Sequence, residues 1–162
     1  MRSMILRGSV ACASISLLAA CVGEPNAPAA CEPMTWTVAS VSGDTTITNT
    51  GLRFIEGTAG VAPQADWCKA LAFHYEGFLL DGTLFDSSRE IDRPLIFTPG
   101  FGGLIDGIEQ GVIGMGTGGT RRLIIPPELG FGSEPRRNAQ GEIVVPGNST
   151  VIYDIEVLEV AQ

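Results

Sequence analysis

The chain is poor in the residues that metal and nucleic-acid sites require. Its 162 residues include a single histidine, His74, and no pair of His or Cys residues at metal-ligand spacing. A zinc site is therefore not expected. Cationic residues are also scarce, 10 Lys and Arg against 18 Asp and Glu, for a net charge of −8. Only Arg121-Arg122 and Arg136-Arg137 place two cations side by side. That balance argues against a nucleic-acid partner and favours solubility. The glycine run 114–119 lacks the Gly-Lys-Ser/Thr ending of a phosphate loop and reads as a turn. The chain shows no internal repeat. What it has instead is 44% hydrophobic residues, 21 glycines and 10 prolines. This is a globular composition with many turns and strands, in a length that allows one ordinary domain.

The first twenty residues read as a targeting segment. Met1 to Arg7 carries two arginines and no acid, and an uncharged stretch rich in Ala, Leu and Ile follows from Gly8 to Ala20. A positive start followed by a short apolar run is the layout of a secretory signal. The run is too short to cross ~30 Å of hydrocarbon as a helix. It ends in Leu18-Ala19-Ala20-Cys21, which resembles the bacterial lipobox. The resemblance implies cleavage before Cys21, a diacylglycerol on its sulfur and acylation of the new amino group, with palmitate among the chains. Two or more acyl chains hold a protein on a membrane far more firmly than one. Val22 is not aspartate, which in Gram-negative sorting implies the outer membrane, facing the periplasm. Loss of Arg2 and Arg7 would leave the mature chain near −10. Cys12 would leave with the signal, so Cys31 and Cys68 remain beside the lipidated Cys21. In an oxidising compartment those two can form one disulfide, or stay as two separate buried thiols.

Past the signal, residues 21–34 contain Pro25, Pro28 and Pro33 among small residues and read as a tether. Residues 35–50, rich in Thr, Val and Ile, predict one or two added strands at a sheet edge. The main domain, 51–162, reads mostly as strands. In Ala70 to Leu80, Leu71, Phe73 and Tyr75 alternate with Ala72, His74 and Glu76, and Asp81-Gly82 supplies a hairpin turn. Arg121 to Ile125 is a short strand stopped by Pro126-Pro127. Val151 to Val160 puts Val151, Tyr153, Ile155 and Val157 opposite Asp154 and Glu156. One segment changes period: Leu104, Ile105, Ile108 and Val112 recur at helical spacing between glycines. One short helix with an antiparallel sheet predicts an α+β fold, the helix lying in the sheet's concave face.

Several motifs occur together in a fixed order. They are His74-Tyr75-Glu76-Gly77, then Asp81-Gly82-Thr83-Leu84-Phe85-Asp86-Ser87-Ser88, then Pro94-Leu95-Ile96-Phe97. Gly103 to Gly111, Gly114-Met115, Gly118, Arg122 to Pro126, Leu129-Gly130-Phe131-Gly132 and Asn148 to Leu158 follow. Together this series, covering about Gly51 to Val160, resembles the FKBP-type peptidyl-prolyl cis/trans isomerases. The resemblance implies an antiparallel sheet wrapped around one short helix, and an enzyme without cofactor or metal. It also implies a pocket. Tyr75, Phe85, Asp86, Ile105, Phe131 and Tyr153 would be its catalytic residues, and Leu95, Phe97, Leu104, Ile108, Val144 and Val145 would bind substrate. In that arrangement Phe85, Phe97 and Tyr153 wall the proline ring and Ile108 floors it. The Ile105 N–H donates to a substrate carbonyl, Asp86 accepts a hydrogen bond and orients Tyr75, and Val144 and Val145 meet the residues flanking proline. Three positions depart from the family pattern. Ile108 stands where tryptophan is usual, Phe131 where tyrosine is usual, and Leu95 replaces a common aromatic. Weak macrolide binding and modest catalysis are the expectation.

The chemistry suits sparse polarity. Rotation about an X-Pro peptide bond faces a barrier of ~18–20 kcal/mol from amide resonance, and no bond need break. The expected partners are X-Pro segments of exported proteins during folding and a membrane reached through the lipid, with the protein a monomer. The same fold without catalysis would be a proline-binding or chaperone lipoprotein; a purely structural envelope lipoprotein is a third reading. His74 reads as a strand residue facing away from Tyr75, and Asp86, Glu90 and Asp92 as a solvated loop.

Overall fold

The computed structural model describes residues 31, 38–42 and 44–162. The targeting segment, Cys21 and most of the tether lie outside the described residues. β1 (Val38–Ser42) and β2 (Thr45–Thr48) form an antiparallel hairpin. β3 (Arg53–Glu56) follows, then β4 (Val61–Gln64), the nine-residue β5 (Leu71–Leu79) and β6 (Leu84–Ser87). β7 (Leu95–Phe97) leads to α1 (Asp106–Val112), the single α-helix among the described residues. The last elements are β8 (Gly116–Thr117), β9 (Thr120–Ile125), β10 (Arg136–Arg137), β11 (Ile143–Val145) and the ten-residue β12 (Val151–Val160).

Eight strands join one antiparallel sheet in the order β1-β2-β3-β9-β12-β5-β6, with β7 off this path, paired to the first residues of β5 where β6 pairs its later ones. The fold is α+β, and the 35–50 region adds its two strands at the sheet edge. Two small two-stranded sheets, β4-β8 and β10-β11, stand apart from it. Neither pair shows in the sequence, because strands of two to four residues carry no readable period.

Alternation decides which side of the sheet is filled. Along β12, Val151, Tyr153, Ile155 and Val157 are buried while Asp154 and Glu156 point outward. A register shift between Val157 and Glu159 inserts one residue and returns Val160 to the interior. Along β5, Leu71 and Phe73 complete the same apolar layer. α1 lies against this face through its glycines. A Cβ on Gly107 would sit 2.4 Å from Ile125 Cγ2, and one on Gly111 2.3 Å from Leu123 Cδ1. Ile125 and Leu123 are themselves fully buried. Bare backbone is what lets the helix approach the sheet this closely.

The helix starts two residues later than its apolar period predicts. Ile105 is the N-cap, with ψ 144°, an extended backbone, and its carbonyl accepts the N–H of Ile108 and of Glu109. The glycines before it, at positive φ in Gly102 and Gly103, hold the chain out of helical geometry. Leu104 and Ile105 therefore precede the helix instead of belonging to it.

Interior polar groups are satisfied. Glu109 accepts the Gly100 N–H, Gln110 accepts the Thr50 hydroxyl, and His74 Nδ1 lies 2.9 Å from Ser88 Oγ. His74 is a buried strand residue of the outward face, beside Glu156 on β12. Cys31 and Cys68 are joined as a disulfide, which pins the chain before β1 to the turn before β5.

Candidate functional site

A cavity of about 330 Å³ opens between the sheet's concave face, α1 and the segment after β9. Each side chain reaches it for a local reason. Tyr75 and Tyr153 sit on neighbouring strands, on the inward side of the β5 and β12 alternation. Gly77 faces them across the same ladder, paired with Tyr153. A Cβ there would lie 2.9 Å from Phe85 Cζ and 3.1 Å from Tyr153 Cε1, so its absence makes room for both rings. Leu95 comes from β7, Leu104 and Ile105 from the extended approach to α1, and Ile108 from the helix's first turn. Ile108 is 5% exposed and closes the bottom. Phe131 lies on the loop beyond β9.

The aromatic rings brace one another. Tyr75 and Tyr153 have centroids 5.9 Å apart, and Phe85 meets Tyr153 at 5.7 Å and Phe131 at 6.1 Å, both edge to face. Such contacts fix ring orientation beyond what burial alone supplies. Phe85 thus backs the wall without lining the cavity. Phe97 is a core residue of β7, 9% exposed, and Val145 is fully buried on β11. Val144 packs half-buried against the core. Of the twelve residues anticipated for the pocket, these four stand behind or beside the lining, and the other eight line it.

Polar groups are confined to the rim. The Tyr75 hydroxyl donates to Asp86 Oδ1 over a long 3.4 Å, and Arg136 Nη2 donates to Asp86 Oδ2 at 3.0 Å. The same guanidinium lies 5.1 Å from the Phe131 ring centroid. Arg136 and Gly103 are the lining residues not anticipated from the sequence, and Arg136 is the one with a side chain. It stands 50 positions from Asp86, on a two-residue strand, and no one-dimensional pattern joins the two. Burial pushes the Tyr75 hydroxyl above its ordinary pKa, and the charge and hydrogen bond of Asp86 add to this. Burial raises Tyr153 further, with Asp86 adding and Arg136 opposing. Both phenols stay protonated at neutral pH and keep their donors.

Among the described residues, no oxygen within the fold accepts the Ile105 N–H. Ile105 is itself a lining residue of the cavity. An apolar chamber with a few charged groups at its edge can hold a small cyclic side chain. Cys31 and Cys68 lie outside the cavity lining.

Comparison with known proteins agrees with this geometry. The family model for FKBP-type peptidyl-prolyl cis-trans isomerases matches residues 63–158. The chain is 40% identical over 116 residues to the photosynthetic NDH subunit of lumenal location 4, chloroplastic, of Arabidopsis thaliana, covering 68% of this chain and 54% of that protein. It is 40% identical over 108 residues to peptidyl-prolyl cis-trans isomerase FKBP2 of Mus musculus, covering 62% of this chain and 74% of that one. The crystal structure of AtFKBP13 superposes with a TM-score of 0.66 at 35% identity, over 72% of this chain and 98% of that one. The chain spans about half the length of some curated relatives it matches, 54% and 41% of two of them. On these matches the chain belongs to the FKBP-type peptidyl-prolyl cis-trans isomerase family.

Proposed function

We propose that the protein is a peptidyl-prolyl cis/trans isomerase, exported and anchored by lipid on Cys21, that acts on X-Pro segments of folding envelope proteins. One observation carries the activity: an apolar cavity of about 330 Å³, large enough for a proline ring and its neighbouring peptide groups, walled by Tyr75, Tyr153 and Phe131 and floored by Ile108, in a chain of this family. The lipobox supports the anchor, and a lumenal relative supports export.

The reaction needs no nucleophile. A planar amide is dipolar and well solvated by water, whereas a twisted one has lost resonance and is less dipolar. Leu95, Leu104, Ile108 and the aromatic walls exclude the water that favours the planar form. The Ile105 N–H holds a substrate carbonyl while the bond turns. Asp86, fixed by Tyr75 and Arg136, keeps the rim rigid. Interactions that are stronger in the twisted state than the planar one lower the barrier.

A second reading, a proline-binding lipoprotein without catalysis, rests on Ile108 at the floor and on Phe131, which has no hydroxyl to offer a bound peptide. One relative is named as a subunit of an assembly and not as an isomerase. The two readings part on the rate of cis/trans exchange in a short X-Pro peptide. We expect acceleration by the protein, and a loss of about tenfold, or ~1.4 kcal/mol, in Asp86→Ala. A folded protein that binds the peptide and leaves its exchange rate unchanged would establish the second reading.

A further inference from the structure

We propose that the outward face of β7 and its flanks is a membrane-contacting surface, which holds the pocket mouth beside the bilayer. The inference rests on lipid attachment at Cys21. Ile91, Ile96 and Phe101 are 69%, 77% and 47% exposed. Two adjoining surface depressions share Ile96; one includes Ile91, with Arg93 and Ser88 beside it, and the other Phe101, so the three lie along one stretch of surface, the apolar ridge. Contiguous exposed apolar surface of this kind marks a place of contact.

The occupant follows from where the tether is fastened. Cys31 is bonded to Cys68, and the Cys68 N–H donates to the carbonyl of Pro99 at 3.0 Å. Pro99 lies between Ile96 and Phe101 in the chain, so the disulfide is fastened to the segment that carries the ridge. Cys31 is ten residues beyond Cys21. Ten residues reach at most ~35 Å fully extended, about the diameter of a domain this size. The anchor therefore keeps the disulfide side near the lipid, while the opposite side meets it only with the tether drawn out. Half-buried Trp67 beside Cys68 suits an interfacial position.

Charge narrows the lipid chemistry. The chain is strongly acidic, so it gains little from anionic headgroups, and an apolar ridge on such a protein suits a zwitterionic phospholipid surface. The consequence for function lies in the strand's alternation. Leu95 lines the cavity while Ile96, its neighbour on β7, points outward. A ridge seated in the interface leaves the cavity, on the other side of the same strand, open to water close to the membrane surface.

The test uses the lipidated full-length protein in phosphatidylcholine vesicles. Ile96→Cys, Phe101→Cys and Leu80→Cys are each labelled with a polarity-sensitive fluorophore. Leu80 is exposed and lies at the far end of β5, about 25 Å from Ala72, the strand partner of Ile96. The expected result is a blue shift at 96 and 101, with quenching by nitroxide-labelled lipid, and neither at 80. Equal responses at all three positions, or none, in protein whose N-terminal peptide carries the diacylglycerol mass would overturn this surface and leave the anchor standing. Absence of that mass removes the anchor and the surface together. A shift at 96 that vanishes as protein is diluted at constant lipid would assign the ridge to a second copy of the chain and overturn the proposal.

Discussion

Two arginines, each joined to a carboxylate and stacked on a phenylalanine, do opposite work in this fold. Arg121 on β9 is 7% exposed. It grips both oxygens of Glu56, at 3.1 and 2.5 Å, and donates to the carbonyls of Gly111 and Ile113 at the end of α1. Phe54 lies under it at 4.5 Å. Arg136 on β10 makes one bond to Asp86 and stacks more loosely on Phe131 at 5.1 Å, with its side chain 40% exposed. The first fastens the helix end to the sheet through five groups at once. The second holds a rim with two. The number of independent partners and the access of water, not the type of interaction, separate a structural clamp from a site element.

The comparison breaks most sharply at Arg121. Arg121→Met would strand two helix-terminal carbonyls, while Glu56, half exposed, turns to water. The expected loss is about 3 kcal/mol, read from denaturant midpoints. The isomerisation rate per folded molecule should stay near that of the parent. A large fall in rate at unchanged stability would reverse the roles assigned to the two arginines.

The same region carries the next effect. In Gly111→Ala, the new methyl would press on Leu123, a fully buried side chain with no room to yield. Overpacking costs about 1–3 kcal/mol, and better helix propensity returns up to ~1 kcal/mol of that. A net destabilisation of up to about 2 kcal/mol follows in thermal or chemical unfolding. A stabilised variant would mean the helix stands off the sheet more than the backbone distances indicate.

How much of each region the sequence disclosed differs for the same reason. The strands β5 and β12 are legible because nine and ten residues give alternation room to repeat. The helix is legible in period, but its start is not. Leu104 and Ile105 fit the apolar stripe, yet the positive φ of Gly102 and Gly103 turns them into pocket residues. Motif order brought Tyr75, Asp86 and Phe131 into view, because each sits in a run of recognisable neighbours. Arg136 has no such run, and Phe97 and Val145, read as pocket residues, belong to the core cluster beside the cavity lining. Long-range pairing, such as Arg121 with Glu56 across 65 positions, is a property of the folded sheet register and has no local trace.

At the rim, Arg136→Met sharpens the contrast from the other side. An exposed ion pair contributes little to stability, so the unfolding free energy should move by no more than ~0.5 kcal/mol. Asp86 would lose its cation and Tyr75 a fixed acceptor. The expected fall in kcat/KM is about three- to tenfold, or ~0.7–1.4 kcal/mol. Arg136 acts through Asp86, as a positioning residue, so the conservative variant is informative. Arg136→Lys keeps the charge and loses the planar stack on Phe131, and should recover part of the rate. Equal losses in Met and Lys variants would assign the effect to stacking alone.

The smallest effect lies at alkaline pH, where the two regions respond differently. Tyr153 and Tyr75 ionise above their ordinary value near 10 in the folded protein, mainly because burial disfavours the phenolate. The unfolded chain therefore releases these protons first and binds fewer of them. Stability from the two tyrosines is fully present below about pH 10 and declines as pH rises toward their folded values. The isomerisation rate should be insensitive to these groups through the neutral range, because both hydroxyls stay protonated. Tyr153→Phe should flatten the alkaline decline in unfolding free energy, whereas Arg121→Met, which touches neither phenol, should lower the whole curve and leave its slope unchanged. A parental slope retained in Tyr153→Phe would show that the phenol is more solvated than its 2% exposure implies.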